Sequence, residues 1–143
     1  VSPFLLPYFP TSLFHRLQNH NQALPGLYRS NMDRNTSTLT QLMGVIEDRK
    51  AHMSEKSYTA ALLSGGVTKI GPKITEEAAE VVEAAGEPGE EGKQHLVREA
   101  ADLVYHLLVM LSHRDVGLSD VEAELARRFD ISGLEEKAKR SKD

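Results

Sequence analysis

Cysteine and tryptophan are both absent from this 143-residue chain. Without cysteine there is no disulfide framework and no thiolate zinc site, which fits a reducing, cytoplasmic compartment. Aromatics make up only 6% of the residues, so the core must be built from Leu, Val, Ile, Ala and Met. That favours close-packed helices over a sandwich. Long apolar runs are missing too: Leu103 to Leu111 is well short of the ~20 residues a bilayer requires and carries His106. No membrane partner is expected. Excess positive charge is also lacking, since the formal net charge is −4, and this argues against a nucleic-acid binder, which normally presents a basic face.

The length suits one domain, and three regions are expected: a non-core extension over 1–36, an all-α domain over 37–132 and a charged tail over 133–143. In the first region Pro3, Pro7, Pro10 and Pro25 interrupt Phe4, Leu5, Leu6, Tyr8 and Phe9 without a helical or strand period. It has neither the basic start nor the unbroken apolar stretch of a signal peptide. Arg16 and Arg29 without any acid before Asp33 leave a transit peptide open on composition, and Met32 is a candidate initiator.

Beyond this region the pattern is helical throughout, with no internal repeat and no convincing strand. Thr38 and Gln41 have the spacing of a capping box and open a helix to about 52, with Leu39, Leu42, Met43 and Ile46 inward. A short helix from Ser57 to Gly65-Gly66 turns Leu62 and Leu63 inward. A third helix ends near Ala85. Pro72 predicts a kink in it, or a start at Pro72 itself. Residues 86–92 read as a turn, 93–114 as a fourth helix, and Ser119 with Glu122 as the box that opens a fifth through Val121, Leu125 and Phe129. The charged end from Glu135 is expected to fray. The fold class is therefore all-α: a compact bundle of four to five helices.

Two carboxylate pairs stand out in that frame. Glu77 and Glu80 lie on the third helix, and Glu99 and Asp102 on the fourth. Each pair is spaced i,i+3, so its two acids point the same way, one turn apart. On a wheel of about 100° per residue, Ile74, Ala78, Val81 and Ala85 form an apolar stripe with Glu77 at its edge. Glu76 and Glu83 lie further outward. The second pair sits in a helix that is apolar on nearly every side, where clustered carboxylates are costly to bury. One such pair is ordinarily a solvated face. Two pairs on antiparallel helices joined by a short turn point instead to a shared hard cation, Mg²⁺ with Mn²⁺ as a substitute.

Lys69 and Lys73 fall on the acids' side of the third helix, where cations would meet the far end of an anionic substrate. An ordinary Lys73–Glu77 ion pair is the equal alternative. Arg49 and Lys50 could add phosphate contacts, though a basic helix end also complements the helix dipole. His106, four residues after Asp102, could orient that carboxylate. His15, His20, His52, His95 and His113 show no ligand spacing, and Tyr105 projects away from the acids.

The E-E-x-x-E of residues 76–80, followed by the E-x-x-D of 99–102, resembles the signature of the MazG-like all-α nucleotide pyrophosphohydrolases. Residues 46–50, 57–59, 66–73 and 99–106 narrow the resemblance to the phosphoribosyl-ATP pyrophosphatase family, over about 39–129. Pro72 and Thr75 depart from a stretch that is usually richer in Lys, Val and Gly. The resemblance implies Mg²⁺ on Glu77, Glu80, Glu99 and Asp102, with Glu76 as an outer-shell or water-orienting residue and Glu76 and Glu77 as the catalytic pair. It also implies hydrolysis of phosphoribosyl-ATP to phosphoribosyl-AMP and pyrophosphate, the second step of histidine biosynthesis. Many relatives carry a fused cyclohydrolase domain bearing cysteines, and this chain looks like the stand-alone form. An apolar helix open on several sides in so small a domain points to a homodimer.

Three other readings stay open at this point. A house-cleaning pyrophosphohydrolase acting on nucleoside triphosphates would share the acids. A di-iron bundle would use Glu-x-x-His, but Tyr105 holds that position and His106 is one residue off. A non-catalytic dimerisation module would bind no metal tightly.

Overall fold

The computed structural model describes residues 36–140, with side-chain surroundings through Phe129. The expected extension through residue 35, including Met32, lies outside the described residues, as do residues 141–143. Among the described residues five helices follow one another: α1 (Thr38–Ala51), α2 (Tyr58–Gly65), α3 (Val67–Ala85), α4 (Gly89–His113) and α5 (Leu118–Arg140). No strand occurs among the described residues. None of their helices is long and apolar enough to cross a membrane.

Local chemistry sets the helix starts, not always at the residues expected. The cap of α1 is Ser37 rather than Thr38: its extended backbone turns Oγ onto the Thr40 N–H at 3.2 Å. Gln41 reaches back to the Thr36 carbonyl instead. Ser57 caps α2 by accepting from the Ala60 N–H at 3.2 Å. The start of α5 is set by Gly117 and Asp120, not by Ser119 and Glu122. The Gly117 N–H donates to Asp120 Oδ2 at 2.8 Å, and the Asp120 N–H returns to the Gly117 carbonyl at 3.1 Å. This helix continues to Arg140, through the charged segment expected to fray. Leu125 and Phe129, through which it was expected to run, lie in the helix and are exposed.

Pro72 neither starts α3 nor ends it; the helix begins five residues earlier, at Val67. The start is fixed by Gly66, at φ +61° and ψ −154°, a conformation essentially reserved for glycine. Gly66 closes α2 and opens α3, so the two helices are joined through one residue. Ile70, fully buried, anchors the first turn of α3, and this packing overrides the missing Pro72 donor. The turn before α4 is likewise shorter than residues 86–92: only 86–88 separate the two helices. Glu90 and Glu91 then sit in the first turn of α4, where carboxylates complement the helix dipole.

With so short a connection, α3 and α4 run antiparallel, and theirs is the most extensive helix–helix contact among the described residues. Both α1 and α2 pack on α4, and α2 also on α1 and α3. The core is Met43 and Ile46 of α1, Ala60, Leu62 and Leu63 of α2, Ile70 and Ala84 of α3, and Tyr105, Leu108 and Val109 of α4. Leu39, expected inward on α1, is exposed. Lys50 crosses from α1 to the end of α4, donating to the Ser112 carbonyl and to Asp115, each at 2.6 Å.

Candidate metal centre between the third and fourth helices

The buried line of α3 is Ile70, Glu77 and Ala84, and that of α4 includes Gly92, Glu99 and His106. Both lines repeat every seven residues, about two helical turns, so each runs along one face of its helix. The stripe expected on α3 is thereby rotated. Ile74, Ala78 and Val81 are only half-buried and Ala85 is exposed. Glu77 sits on the inward line itself rather than at its edge, because α3 is packed by α2 and α4 together.

One carboxylate oxygen each from Glu77, Glu80 and Glu99 lies within 4.8 Å of the other two. Glu77 and Glu99 are only 5% and 6% exposed, while Glu80 is partly open to solvent. The fourth expected ligand, Asp102, falls outside this close trio but within its electrostatic reach. Burial pushes its carboxyl up to about 6, and the charges of Glu77 and Glu80 push the same way, against Lys73. Burial also raises Glu77 and Glu80, opposed at Glu77 by Lys73 and reinforced at Glu80 by Glu99. Three acids that hold their protons above the ordinary carboxylate range form a site short of positive charge. The donor set fits a hard dication, being all oxygen, clustered and partly withdrawn from water.

Lys73 supplies part of the missing charge. Its Nζ lies 2.7 Å from Glu76 Oε2 and 3.1 Å from Glu77 Oε1. Hydrogen bonds to these two acids raise its pKa, against the burial that would lower it. Lys69 lies one turn earlier and is exposed. Arg49 points Nη1 at Ser57 Oγ over 3.5 Å, at the start of α2. Lys50 is engaged with Ser112 and Asp115 at the far end of α4.

His106 is buried beneath the acids. Nδ1 donates to the Asp102 carbonyl at 2.8 Å, and burial lowers the ring's pKa. Since a carbonyl only accepts, the neutral ring carries its proton on Nδ1. Nε2 then accepts from the Tyr58 hydroxyl at 3.3 Å. His106 therefore braces the backbone of Asp102 rather than its carboxylate, and Nδ1 stands 3.8 Å from Glu77 Oε1. Beside it the Tyr105 hydroxyl bonds Thr59 Oγ1 at 2.7 Å, in an environment that pushes its pKa up to about 12. These two contacts fasten α2 across the acid-bearing turns of α4.

The sequence reading passed over one residue here. His95 brings Nε2 to 3.1 Å from Glu99 Oε1 and Nδ1 to 2.9 Å from both oxygens of Glu87. A carboxylate only accepts, so Nδ1 donates to Glu87, while Nε2 faces Glu99 at ion-pair distance. The bond to Glu87 leads the causes that raise its pKa. The i,i+4 spacing of His95 and Glu99 was the available signal.

The chain matches the sequence model of the family described as phosphoribosyl-ATP pyrophosphohydrolase over residues 39–129. It is 51% identical over 102 residues to the phosphoribosyl-ATP pyrophosphatase of Rhodopirellula baltica, covering 71% of this chain and 85% of that one. Against the enzyme of the same name from Geobacter metallireducens the identity is 43% over 112 residues, covering 78% of this chain and all of the relative. The one from Burkholderia multivorans is 49% identical over 106 residues, covering 73% and 88%. The match spans every helix that builds the acid cluster, and the chain belongs to the phosphoribosyl-ATP pyrophosphohydrolase family.

Proposed function

We propose that this chain hydrolyses phosphoribosyl-ATP to phosphoribosyl-AMP and pyrophosphate in histidine biosynthesis, in the cytoplasm, with Mg²⁺ bound and Mn²⁺ as a substitute. The observation that carries the proposal is the convergence of Glu77, Glu80 and Glu99 within 4.8 Å across two helices. These three would hold the cation, with Asp102 completing the donor set. When bound, such an ion offsets charge on a phosphoanhydride and makes water a better nucleophile. The chain's own residues do the rest. Glu76, fixed by Lys73 and open to solvent, is placed to orient a water. Lys73, Lys69 and Arg49 are the cations offered to phosphate. Lys50 is left out of this set because its ammonium is committed to the end of α4.

A homodimer belongs to the same proposal. Val82 and Val97 are 75% and 68% exposed on α3 and α4, and Leu107 is 44% exposed. Large apolar side chains on the hairpin that carries the site are what a second copy would cover. Sedimentation velocity on the wild type and on Val82→Asp should show a dimer and a monomer respectively.

The deciding experiment is a product assay with phosphoribosyl-ATP, ATP and other nucleoside triphosphates, with Mg²⁺ and with a chelator. The expected result is Mg²⁺-dependent pyrophosphate release, with phosphoribosyl-ATP strongly preferred. Equal turnover of ordinary triphosphates would replace the reading by a general nucleotide pyrophosphohydrolase. No release from any of them would end it.

A further inference from the structure

Of the three close carboxylates, Glu77 is met by Lys73 of its own helix, and Glu99 by His95. His95 Nε2 lies 3.1 Å from Glu99 Oε1, and its other nitrogen is gripped by both oxygens of Glu87 at 2.9 Å. A strap thus runs from the α3–α4 turn to the acid cluster. The turn is shaped to permit it. A Cβ on Gly92 would stand 2.5 Å from the Glu87 carbonyl oxygen and 2.8 Å from Glu87 Cβ, so glycine is what lets Glu87 lie this close to α4. The Glu87 N–H is itself tied to the Ala84 carbonyl at 3.1 Å. Glu87 is exposed, so burial places no demand on it for a partner.

We propose that His95, held from behind by Glu87, is a positioning residue for Glu99: it fixes Oε1 and leaves the second carboxylate oxygen for the cation. This rests on the metal-site reading above. A glutamate has three side-chain torsions, and one oxygen held at a fixed donor sets where the other points. Glu87 fixes the far side of the ring, so the edge turned to Glu99 is set by the α3–α4 turn. Outer partners of a metal-binding side chain typically change metal affinity or activity by about 10–100-fold.

The test is calorimetric titration of the full chain with Mg²⁺ alone, for wild type, His95→Ala, His95→Gln, Glu87→Gln and Glu99→Gln, with the melting temperature of each metal-free protein measured in parallel. The half-exposed His95→Ala should melt close to wild type yet bind Mg²⁺ about 10-fold more weakly or worse. His95→Gln keeps an amide donor for Glu99 and should recover most of that loss. Glu87→Gln should fall between, and Glu99→Gln should lose the site. Wild-type or tighter affinity in His95→Ala would overturn the proposal and leave the metal site standing. So would a parallel loss of stability and affinity that His95→Gln does not rescue. A wild-type protein that binds no Mg²⁺ would overturn both.

Discussion

Asp102 and Lys73 separate two roles that meet at one site. Asp102 is the acid outside the close trio, yet its carboxyl is pushed up to about 6 because it shares their desolvated surroundings. Asp102→Asn keeps the shape and the backbone carbonyl that His106 braces, but removes the charge. We expect it to fold, and to lower turnover on the order of 10²-fold with weakened Mg²⁺ affinity. Near-wild-type turnover at low Mg²⁺ would make the residue structural. Lys73→Ala should act differently, raising KM for phosphoribosyl-ATP roughly tenfold or more through a lost charge-assisted contact, with a smaller change in Mg²⁺ affinity. The reverse pattern in paired kinetics and calorimetry would assign Lys73 to the acids alone. At this scale the sequence showed the acids but not their partners. His95 was passed over because one of its two anchors, Glu87, lies across a turn, whereas His106 was found by its i,i+4 spacing and then proved to serve a backbone carbonyl.

The helices follow from local chemistry, and their exact ends from details that local patterns leave ambiguous. Ser37 and Thr38 are both good caps, and only the backbone shows Ser37 extended and Thr38 already helical. At Pro72 a helix start, one of the two outcomes expected there, does not occur, because burial of Ile70 and the turn at Gly66 favour helix over the whole span from Val67. Gly66 is consequently a sharp test of how α2 and α3 are joined. Gly66→Ala demands a conformation that L side chains avoid and brings a Cβ to 3.2 Å from the His113 ring. It should destabilise the protein by about 1–3 kcal/mol. Urea unfolding followed by circular dichroism would measure this, and a loss below half of that range would mean the junction relaxes freely. Ser57→Ala, which removes the α2 cap, should cost about 1 kcal/mol in the same assay.

Across the whole molecule, the acid cluster makes stability depend jointly on pH and metal. Asp102 titrates at about 6 in the fold against an ordinary 3.8, so between these values the folded state binds more protons than the unfolded one. Its contribution therefore falls as pH rises through that window and is lost above about pH 6, and the raised Glu77 and Glu80 act in the same direction. His106, lowered by burial, opposes them by costing stability on the acid side. Bound Mg²⁺ replaces the protons, so the melting temperature should rise on adding Mg²⁺, and rise more at pH 7.5 than at pH 5. In Glu99→Gln the rise should shrink strongly at both. An equal rise in wild type and variant would place the ion elsewhere.

Much of this was present in the sequence alone: an all-α chain, the order of its helices, and the four acids as two i,i+3 pairs. These are local properties, since a helix forms from the period of its own apolar residues, and residues three apart face the same way on any helix. Tertiary structure decided which stripe of α3 turns inward, that Glu77 lies on it, that three of the four acids draw within 4.8 Å while Asp102 stands beside them, and that Lys50 closes α4 while His95 reaches Glu99. Those outcomes depend on how far each helix is rotated about its axis. That rotation is set by packing against two or more neighbours at once and by a turn only three residues long, and no single helix's pattern contains it.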